Sequence, residues 1–377
     1  MLFRSLLKAG RDCFAARDYT RAAECCDRAI ATRHDCAEAH LLRGEIHAAM
    51  GESEDALDCY QLAVHFSPQR APVQTALAEA LLERGSDVDA EAACRLALTA
   101  SPGFARAWLC LGNILKRRGA LAEAADAYRA AWSHDRTETL ALEQLAFVLS
   151  RLGQYERAGE CFRTLLDVAP DSCRAHHNFG LLQLETGYAT EALASFRRAL
   201  QLQPETVESI ACAGHALRDL GRIEEAITCY DQALALRPGF GDALANRALA
   251  FLCKGDYANG WTEYEHRFAA GGKQRRSVGG PVWRGEPLQG KSVVVLSEQG
   301  VGDEIMFASC LPDLITVAGR VTVACESRLT ELFRRSFPAT VVLPRENPEG
   351  APQVATDRKS TRLNSSHTDI SRMPSSA

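Results

Sequence analysis

One residue type recurs at a fixed interval through most of this chain. Alanine stands at seven positions, each separated from the next by 34 residues: Ala22, Ala56, Ala90, Ala124, Ala158, Ala192 and Ala226. Four residues after each alanine comes a cysteine, tyrosine or phenylalanine, and seven residues after it comes alanine or leucine. Spacings of four and seven place side chains on one face of an α-helix. The interval therefore predicts repeated helical units, each of which packs against its neighbours.

Glycine and proline mark where the helices of each unit should end. A glycine recurs upstream of every alanine after the first, where a turn would follow a first helix: Gly51, Gly85, Gly119, Gly153, Gly187 and Gly221, with Gly255 continuing the series. Proline, which a helix interior excludes, recurs at the end of a second helix: Pro68, Pro102, Pro170, Pro204 and Pro238. Eight helix hairpins are predicted, at residues 3–36, 37–70, 71–104, 105–138, 139–172, 173–206, 207–240 and 241–274.

The repeats resemble a known family. Trp108, Leu111 and Gly112 are the closest match to the first-helix signature of the tetratricopeptide repeat. The expected fold class is mainly α, a tetratricopeptide repeat superhelix of about eight helix hairpins followed by the start of a Rossmann-like α/β domain. His34 and Arg136 stand where the other units have proline, and the interval of 34 residues continues through both positions. The resemblance implies that a protein or peptide binds the concave side, which the first helices line.

Candidate groove residues come from the outward positions of the first helices. They are Glu38, Glu45, Glu79, Arg106, Asn113, Lys116, Arg174, His177 and Asn178. A solvated helix face is the alternative interpretation for each. The array resembles that of O-linked N-acetylglucosamine transferase, but the asparagine ladder of that family is mostly absent, as is the basic clamp of chaperone-binding repeats.

Composition narrows the function classes. The formal net charge of −5 does not favour nucleic acid, and no apolar run approaches the roughly 20 residues needed to cross a bilayer. The fourteen cysteines show neither a disulfide framework nor zinc-ligand spacing. We expect a cytoplasmic protein with reduced thiols, with no metal site and with neither nucleic-acid nor membrane partners.

Both terminal segments match sequencing-library adapters. The tail from Asp357 reads DRKSTRLNSSH, the translation of a common adapter, and MLFRS at the start is the translation of its reverse complement. We interpret residues 1–5 and 357–377 as adapter-derived. On that interpretation the chain is an internal fragment, which leaves the natural termini and any signal peptide undetermined.

A change of pattern follows the repeat array of residues 6–274. Residues 275–290 form a predicted linker, and in residues 291–356 short apolar strands alternate with helices. Strands are predicted at 292–297, 320–325 and 340–344, with helices at 303–314 and 327–337. Apolar strands of this kind are typical of a parallel sheet covered on both faces, whose ligands bind at the carboxyl ends of its strands.

The loop at residues 297–307, SEQGVGDEIMF, lies at such an end. A phosphate-binding Walker loop needs lysine and a hydroxyl after its last glycine, where this chain has Asp303 and Glu304. The dinucleotide-binding motif needs a third glycine where this chain has Ile305. Glu326, after the second strand, still allows the alternative of a contact to a ribose. Acidic residues at a helix start also disfavour a bound phosphate. Asp303 is a candidate general base, with an ordinary helix cap as the alternative.

Residues 255–343 resemble the junction of bacterial tetratricopeptide proteins that carry a glycosyltransferase-like domain related to heptosyltransferases. The resemblance implies the incomplete N-terminal half of a B-type glycosyltransferase, with Asp303 as catalytic base. It assigns substrate binding to Glu298, Gln299, Gly300 and Gly302, and interdomain packing to Trp283, Gly285 and Leu288.

In that fold the second half holds the nucleotide-sugar donor. We therefore expect no cofactor in this fragment and an inactive fragment, while the parent would transfer sugar to a protein acceptor. The alternative is a non-catalytic interaction scaffold. The sequence identifies neither the sugar, the acceptor, the repeat partner nor the oligomeric state.

Overall fold

A computed structural model describes residues 2–268, 281–283, 285–297, 300–345 and 361–364. The chain divides into two compact units, Met1–Pro204 and Glu205–Ala377. Each unit is described by itself. Within the described residues, no helix combines the length and the apolar character that a bilayer crossing requires.

The first unit is a stack of six helix hairpins. Its twelve helices are α1 (Leu2–Ala15), α2 (Tyr19–Thr32), α3 (Ala37–Met50), α4 (Ser53–Phe66), α5 (Ala71–Arg84), α6 (Asp87–Ala100), α7 (Ala105–Arg117), α8 (Leu121–His134), α9 (Thr139–Arg151), α10 (Tyr155–Val168), α11 (Cys173–Glu185) and α12 (Ala189–Leu202). Odd-numbered helices are the first helices of their hairpins. The predicted register of 34 residues is confirmed throughout this unit.

The second unit begins with two more hairpins and continues into a small sheet. The hairpins are α13 (Val207–Asp219) with α14 (Ile223–Leu236), and α15 (Gly241–Lys254) with α16 (Tyr257–Tyr264). The sheet region comprises β1 (Ser292–Leu296), α17 (Val301–Phe307), α18 (Leu311–Val317), β2 (Arg320–Cys325), α19 (Thr330–Ser336), β3 (Val341–Pro344) and β4 (Thr361–Asn364).

Glycine shapes each hairpin in two ways. Gly51 ends α3 with φ of 80°, a left-handed conformation that side chains rarely adopt, so the turn needs glycine there. Inside α7, Gly112 lets the ring of Tyr128 approach so closely that an added Cβ would lie 2.5 Å from a ring carbon. Gly180 and Phe196 repeat this contact. In both hairpins a glycine of the first helix thus packs directly against an aromatic ring of the second helix.

The sheet is parallel, with strand order β3-β2-β1-β4. Val294 of β1 lies opposite Thr322 of β2, which lies opposite Val341 of β3. Strand β4 belongs to the segment that matches adapter sequence. The three predicted strands are confirmed, and Trp283 and Leu288 pack into the core of this layer.

The sheet helices are shorter than the sequence predicts. The expected helix 303–314 is divided by a 3₁₀ turn at Ala308–Cys310, and α18 restarts with Pro312 in its first turn. Proline lacks an N–H donor and clashes with the preceding turn, so it suits a helix start and not an interior. The helix expected at 327–337 opens as a 3₁₀ turn at Ser327–Leu329 before α19.

Candidate functional sites

The first-helix face is the surface formed by α1, α3, α5, α7, α9 and α11. Three of its predicted residues, Glu38, Glu79 and Arg106, join successive hairpins through ion pairs. Glu38 lies 2.6 Å from Arg70 and 3.4 Å from Arg11, and the hydrogen bond from Arg70 lowers the pKa of Glu38. Arg106 donates two hydrogen bonds to Glu79, at 2.8 and 2.6 Å. These side chains stabilise contacts between hairpins as well as facing outward.

A buried carboxylate organises the far end of this face. Glu143, on α9, accepts a hydrogen bond from Asn178 at 2.8 Å and pairs with Arg174 at 2.6 Å, both on α11. Asn113 accepts a hydrogen bond from the hydroxyl of Tyr128 at 2.8 Å. The outer partners, Arg174 and Asn178, were predicted from the sequence. Glu143 was not, because its burial depends on how the two hairpins pack against each other.

Lys116 and His177 complete the predicted set. The Lys116 ammonium donates to Gln144 at 2.5 Å and lies 5.7 Å from the centre of the Phe147 ring. Partial burial lowers the pKa of Lys116, and no carboxylate lies within ion-pair distance of it in the described ranges. The ring of His177 lies 5.7 Å from that of Phe196.

A cavity of about 450 Å³ opens between α1, α3, α4, α5 and α7. Its apolar lining includes Phe14, Ala48, Leu57, Ala76 and Ala80, and its polar lining includes Glu45, Glu79, Glu83, Arg106 and Tyr60. We call it the acidic cavity. Glu45, Glu79 and Arg106 are among the groove residues predicted from the sequence. Tyr60 and Glu83 are not among them; Tyr60 belongs to a second helix, and only first helices were expected to line the groove.

The polar groups of the acidic cavity are partly unsatisfied. Glu45 is half-buried, and burial raises its pKa, with Arg106 opposing the shift. The Tyr60 side chain is only 6 % exposed, and burial raises its pKa. Neither Glu45 nor the Tyr60 hydroxyl has a hydrogen-bond partner among the described residues. Tyr128, the equivalent residue two repeats later, does have one in Asn113.

A second cavity, of about 560 Å³, lies beside α10 and α11. Its lining includes Tyr155, Gly159, Phe179 and Tyr188. Gly159 stands at the repeat position that the buried residues Leu57 and Leu193 occupy in two other hairpins. The missing side chain therefore helps to leave this space open.

One polar cluster has the ligand types of a metal site. His47, Glu52 and Asp55 bring three possible ligand atoms within 4.8 Å of one another. The His47 ring already hydrogen-bonds to Glu52 at 2.6 Å, and both carboxylates are exposed. This arrangement is that of an ordinary surface hydrogen bond at a hairpin turn, and we assign no metal to it.

At the sheet, Asp303 lies in the first turn of α17. Gly300 is the N-cap residue, and it has no side chain to cap the helix. The Asp303 carboxylate is partly exposed and makes no hydrogen bond within the described part of the chain. Gly302 is exposed beside it, whereas Glu298 and Gln299 lie outside the described residues.

The neighbouring Glu304 is buried and firmly held. Its carboxylate accepts the backbone N–H of Glu326 at 2.9 Å and lies 3.3 Å from Arg345. Arg345 also donates to the Glu326 carboxylate at 2.8 Å. This network joins α17 to the carboxyl ends of β2 and β3, and it occupies the carboxylate that a ribose contact would need. No sequence pattern indicates this role of Glu304, because its partners stand 22 and 41 positions away.

One further polar atom at this edge lacks a partner. The hydroxyl of Ser297, directly after β1, is buried and has no hydrogen-bond partner among the residues that the structure describes. Buried polar atoms are usually satisfied, so an orphaned hydroxyl at the carboxyl end of a strand fits a place where a ligand or water binds.

Comparisons with known proteins identify the repeats. The family described as "Tetratricopeptide repeat" matches residues 7–71 and 144–205, and that described as "TPR repeat" matches residues 214–255. Protein FlbA of Caulobacter vibrioides is 41% identical over 101 residues, which are 26% of this chain and 17% of FlbA. The chain therefore spans less than a fifth of this curated relative.

Two solved structures share the helical fold. The Cut9–Hcn1 hetero-tetramer of the APC/C has a TM-score of 0.52 at 18% identity, covering 68% of this chain and 50% of that one. The pilF protein of Pseudomonas aeruginosa has a TM-score of 0.52 at 18% identity, covering 58% of this chain and 99% of that one. At this identity the likeness shows the fold alone. The tetratricopeptide repeat assignment therefore holds for the hairpins within the matched residues 7–71, 144–205 and 214–255.

Proposed function

We propose that the repeat array binds a protein or peptide along the first-helix face. The observation that carries the proposal is the acidic cavity on that face, where Glu45 and Tyr60 have polar atoms without hydrogen-bond partners in the described part of the chain. A face built only to pack hairpins together would satisfy these groups internally. The Cut9–Hcn1 structure, in which a protein with this fold is part of a hetero-tetramer, is consistent with the proposal.

Site-specific photo-cross-linking tests this function. Phe147 is 47% exposed on α9, and p-benzoylphenylalanine at this position keeps the aromatic ring. Leu96, 54% exposed on the second helix α6, is the matched control position. We expect a discrete cross-linked partner from position 147 and none from position 96. Equal labelling from both positions, or none from either, would contradict binding on the first-helix face.

For the parent protein we further propose glycosyl transfer to a hydroxyl of the bound protein. The parallel sheet supports this proposal. The Asp303 carboxylate lies at the carboxyl edge of the sheet and makes no hydrogen bond to any described residue, and the contacts of Glu304 with Glu326 and Arg345 stabilise that edge. Asp303 would take the acceptor proton while the hydroxyl oxygen attacks the anomeric carbon, and the nucleoside diphosphate would leave. Glu298, Gln299, Gly300 and Gly302 would contact the acceptor.

A second, Rossmann-like half would hold the nucleotide-sugar donor in that parent. The test uses the full-length protein, its reading frame completed by sequencing outward from the codons of Gly285 to Pro338. Asp303→Asn should retain donor binding and lose turnover. Unchanged turnover would contradict the assigned base, and a full-length protein that binds no nucleotide sugar would favour the non-catalytic scaffold.

A further inference from the structure

The acidic cavity carries more negative charge than it neutralises. Glu79 and Arg106 satisfy each other through two hydrogen bonds, so this pair adds little net charge. Glu45 on α3 and Glu83 on α5 have no ion-pair partner among the residues that the structure describes. The two arginines of the lining, Arg84 and Arg106, pair with Glu54 and Glu79. Two carboxylates therefore face the cavity without an ion-pair partner in the described ranges, and one of them is half-buried.

A largely buried tyrosine borders the same space. Tyr60 is more than nine-tenths buried, lines the cavity and makes no hydrogen bond in the described ranges. The residue that faces its ring at the equivalent place in the Tyr128 hairpin is Asn113, which accepts the Tyr128 hydroxyl. In the Tyr60 hairpin that position is Glu45. The exchange leaves both a hydroxyl and a carboxylate open to the cavity.

Partial burial of an unpaired carboxylate is unfavourable, because desolvation disfavours its charge. A cation that enters the cavity would remove this penalty and form charge-assisted hydrogen bonds. The acceptors come from three helices: Glu45 from α3, Tyr60 from α4 and Glu83 from α5. A guanidinium group has five N–H donors in one plane and reaches several acceptors at once, whereas an ammonium is a compact point charge.

We propose that the acidic cavity binds the guanidinium group of an arginine side chain in the partner segment. The inference rests on the proposed function and names the chemistry that the partner presents. The arginine stem would lie against the apolar lining, which includes Leu57 and Ala76.

The experiment titrates the full chain with three pentapeptides, followed by ligand-detected NMR. Acetyl-Ala-Ala-Arg-Ala-Ala-amide is the probe, and the same peptide with citrulline keeps its shape without its charge. The third peptide carries lysine. Charge-assisted hydrogen bonds predict that citrulline binds at least about tenfold more weakly than arginine, with lysine in between.

Three variants locate the binding. Glu45→Gln keeps the side-chain shape and should weaken arginine-peptide binding about tenfold, and Tyr60→Phe should weaken it severalfold. Glu24→Gln removes an equal charge from an exposed position on α2 outside the cavity and should leave binding unchanged. Circular dichroism checks that each variant folds.

Each opposite result overturns the inference. Equal affinity for the arginine and citrulline peptides would exclude recognition of charge, and equal affinity for lysine would exclude the guanidinium assignment. No binding up to about 10 mM, the weak limit for a single side-chain contact, would also refute it. If cross-linking from position 147 persists in any of these cases, the proposed function stands; if it is absent as well, both fail.

Discussion

Gly112 and Tyr128 pack so tightly across their hairpin that a Cβ on the glycine would lie 2.5 Å from the tyrosine ring. Gly112→Ala should therefore destabilise the chain by about 1–3 kcal/mol, because the ring is fully buried and has no room to move. Urea unfolding followed by circular dichroism measures the change.

Gly159→Ala is the matched control within the same unit. Gly159 also lies inside a helix, but an added Cβ there meets no atom closer than 3.7 Å. Alanine should stabilise this helix by up to about 1 kcal/mol through its higher propensity. If both substitutions destabilise the chain equally, close packing against Tyr128 is not the reason that the repeat needs glycine at position 112.

Two equivalent tyrosines differ in one hydrogen bond. Tyr128→Phe removes the bond to Asn113 and should lower the free energy of unfolding by about 1 kcal/mol. The Tyr230 hydroxyl is buried and has no hydrogen-bond partner among the described residues, so Tyr230→Phe should leave stability unchanged or raise it. Urea denaturation of both variants checks the contrast, which equal losses would contradict.

How much of this fold the sequence predicts depends on the range of the interactions. Gly51 and the aromatic positions such as Tyr128 follow from spacings within one hairpin, and so the period located them. The partners of Glu143 and Glu304 lie 22 to 41 positions away and depend on how neighbouring elements pack. Pro312 is visible in the sequence, but the pattern of residues 303–314 around it still predicts a single helix.

The Glu304 network predicts a localised effect at the sheet edge. Glu304→Gln replaces a buried charged acceptor and should cost about 1–3 kcal/mol. Exchange of the Glu326 amide hydrogen should accelerate, because that N–H donates to the Glu304 carboxylate at 2.9 Å. Hydrogen-exchange NMR or mass spectrometry reads this amide or the peptide that contains it.

Glu331→Gln is the control for that experiment. Glu331 pairs with Arg334 on the solvent side of α19, where the loss of an ion pair changes stability by about 0.5 kcal/mol or less. Faster exchange at Glu326 in this variant too would indicate general loosening of the sheet and not loss of a specific bond.

Two glutamates on α3 should affect stability oppositely as pH changes. The Arg70 hydrogen bond holds the pKa of Glu38 below the ordinary value of 4.5. Its charged form is therefore favoured in the folded state, and it contributes stability above pH 4.5 that is lost as pH falls through the lowered pKa. Glu38→Gln should destabilise the chain at pH 7, with the loss shrinking in acid.

The pKa of Glu45 is shifted in the opposite direction to that of Glu38. Burial raises its pKa above 4.5 although Arg106 faces it, with Glu79 adding to the rise. The folded state therefore binds the Glu45 proton more tightly, and stability falls as pH rises through the window between 4.5 and the raised value. Glu45→Gln should stabilise the chain at pH 7, and the gain should vanish below pH 4.5. Thermal unfolding of both variants from pH 4 to 7 tests the pair, and a destabilised Glu45→Gln protein at pH 7 would mean that this carboxylate has a favourable internal partner after all.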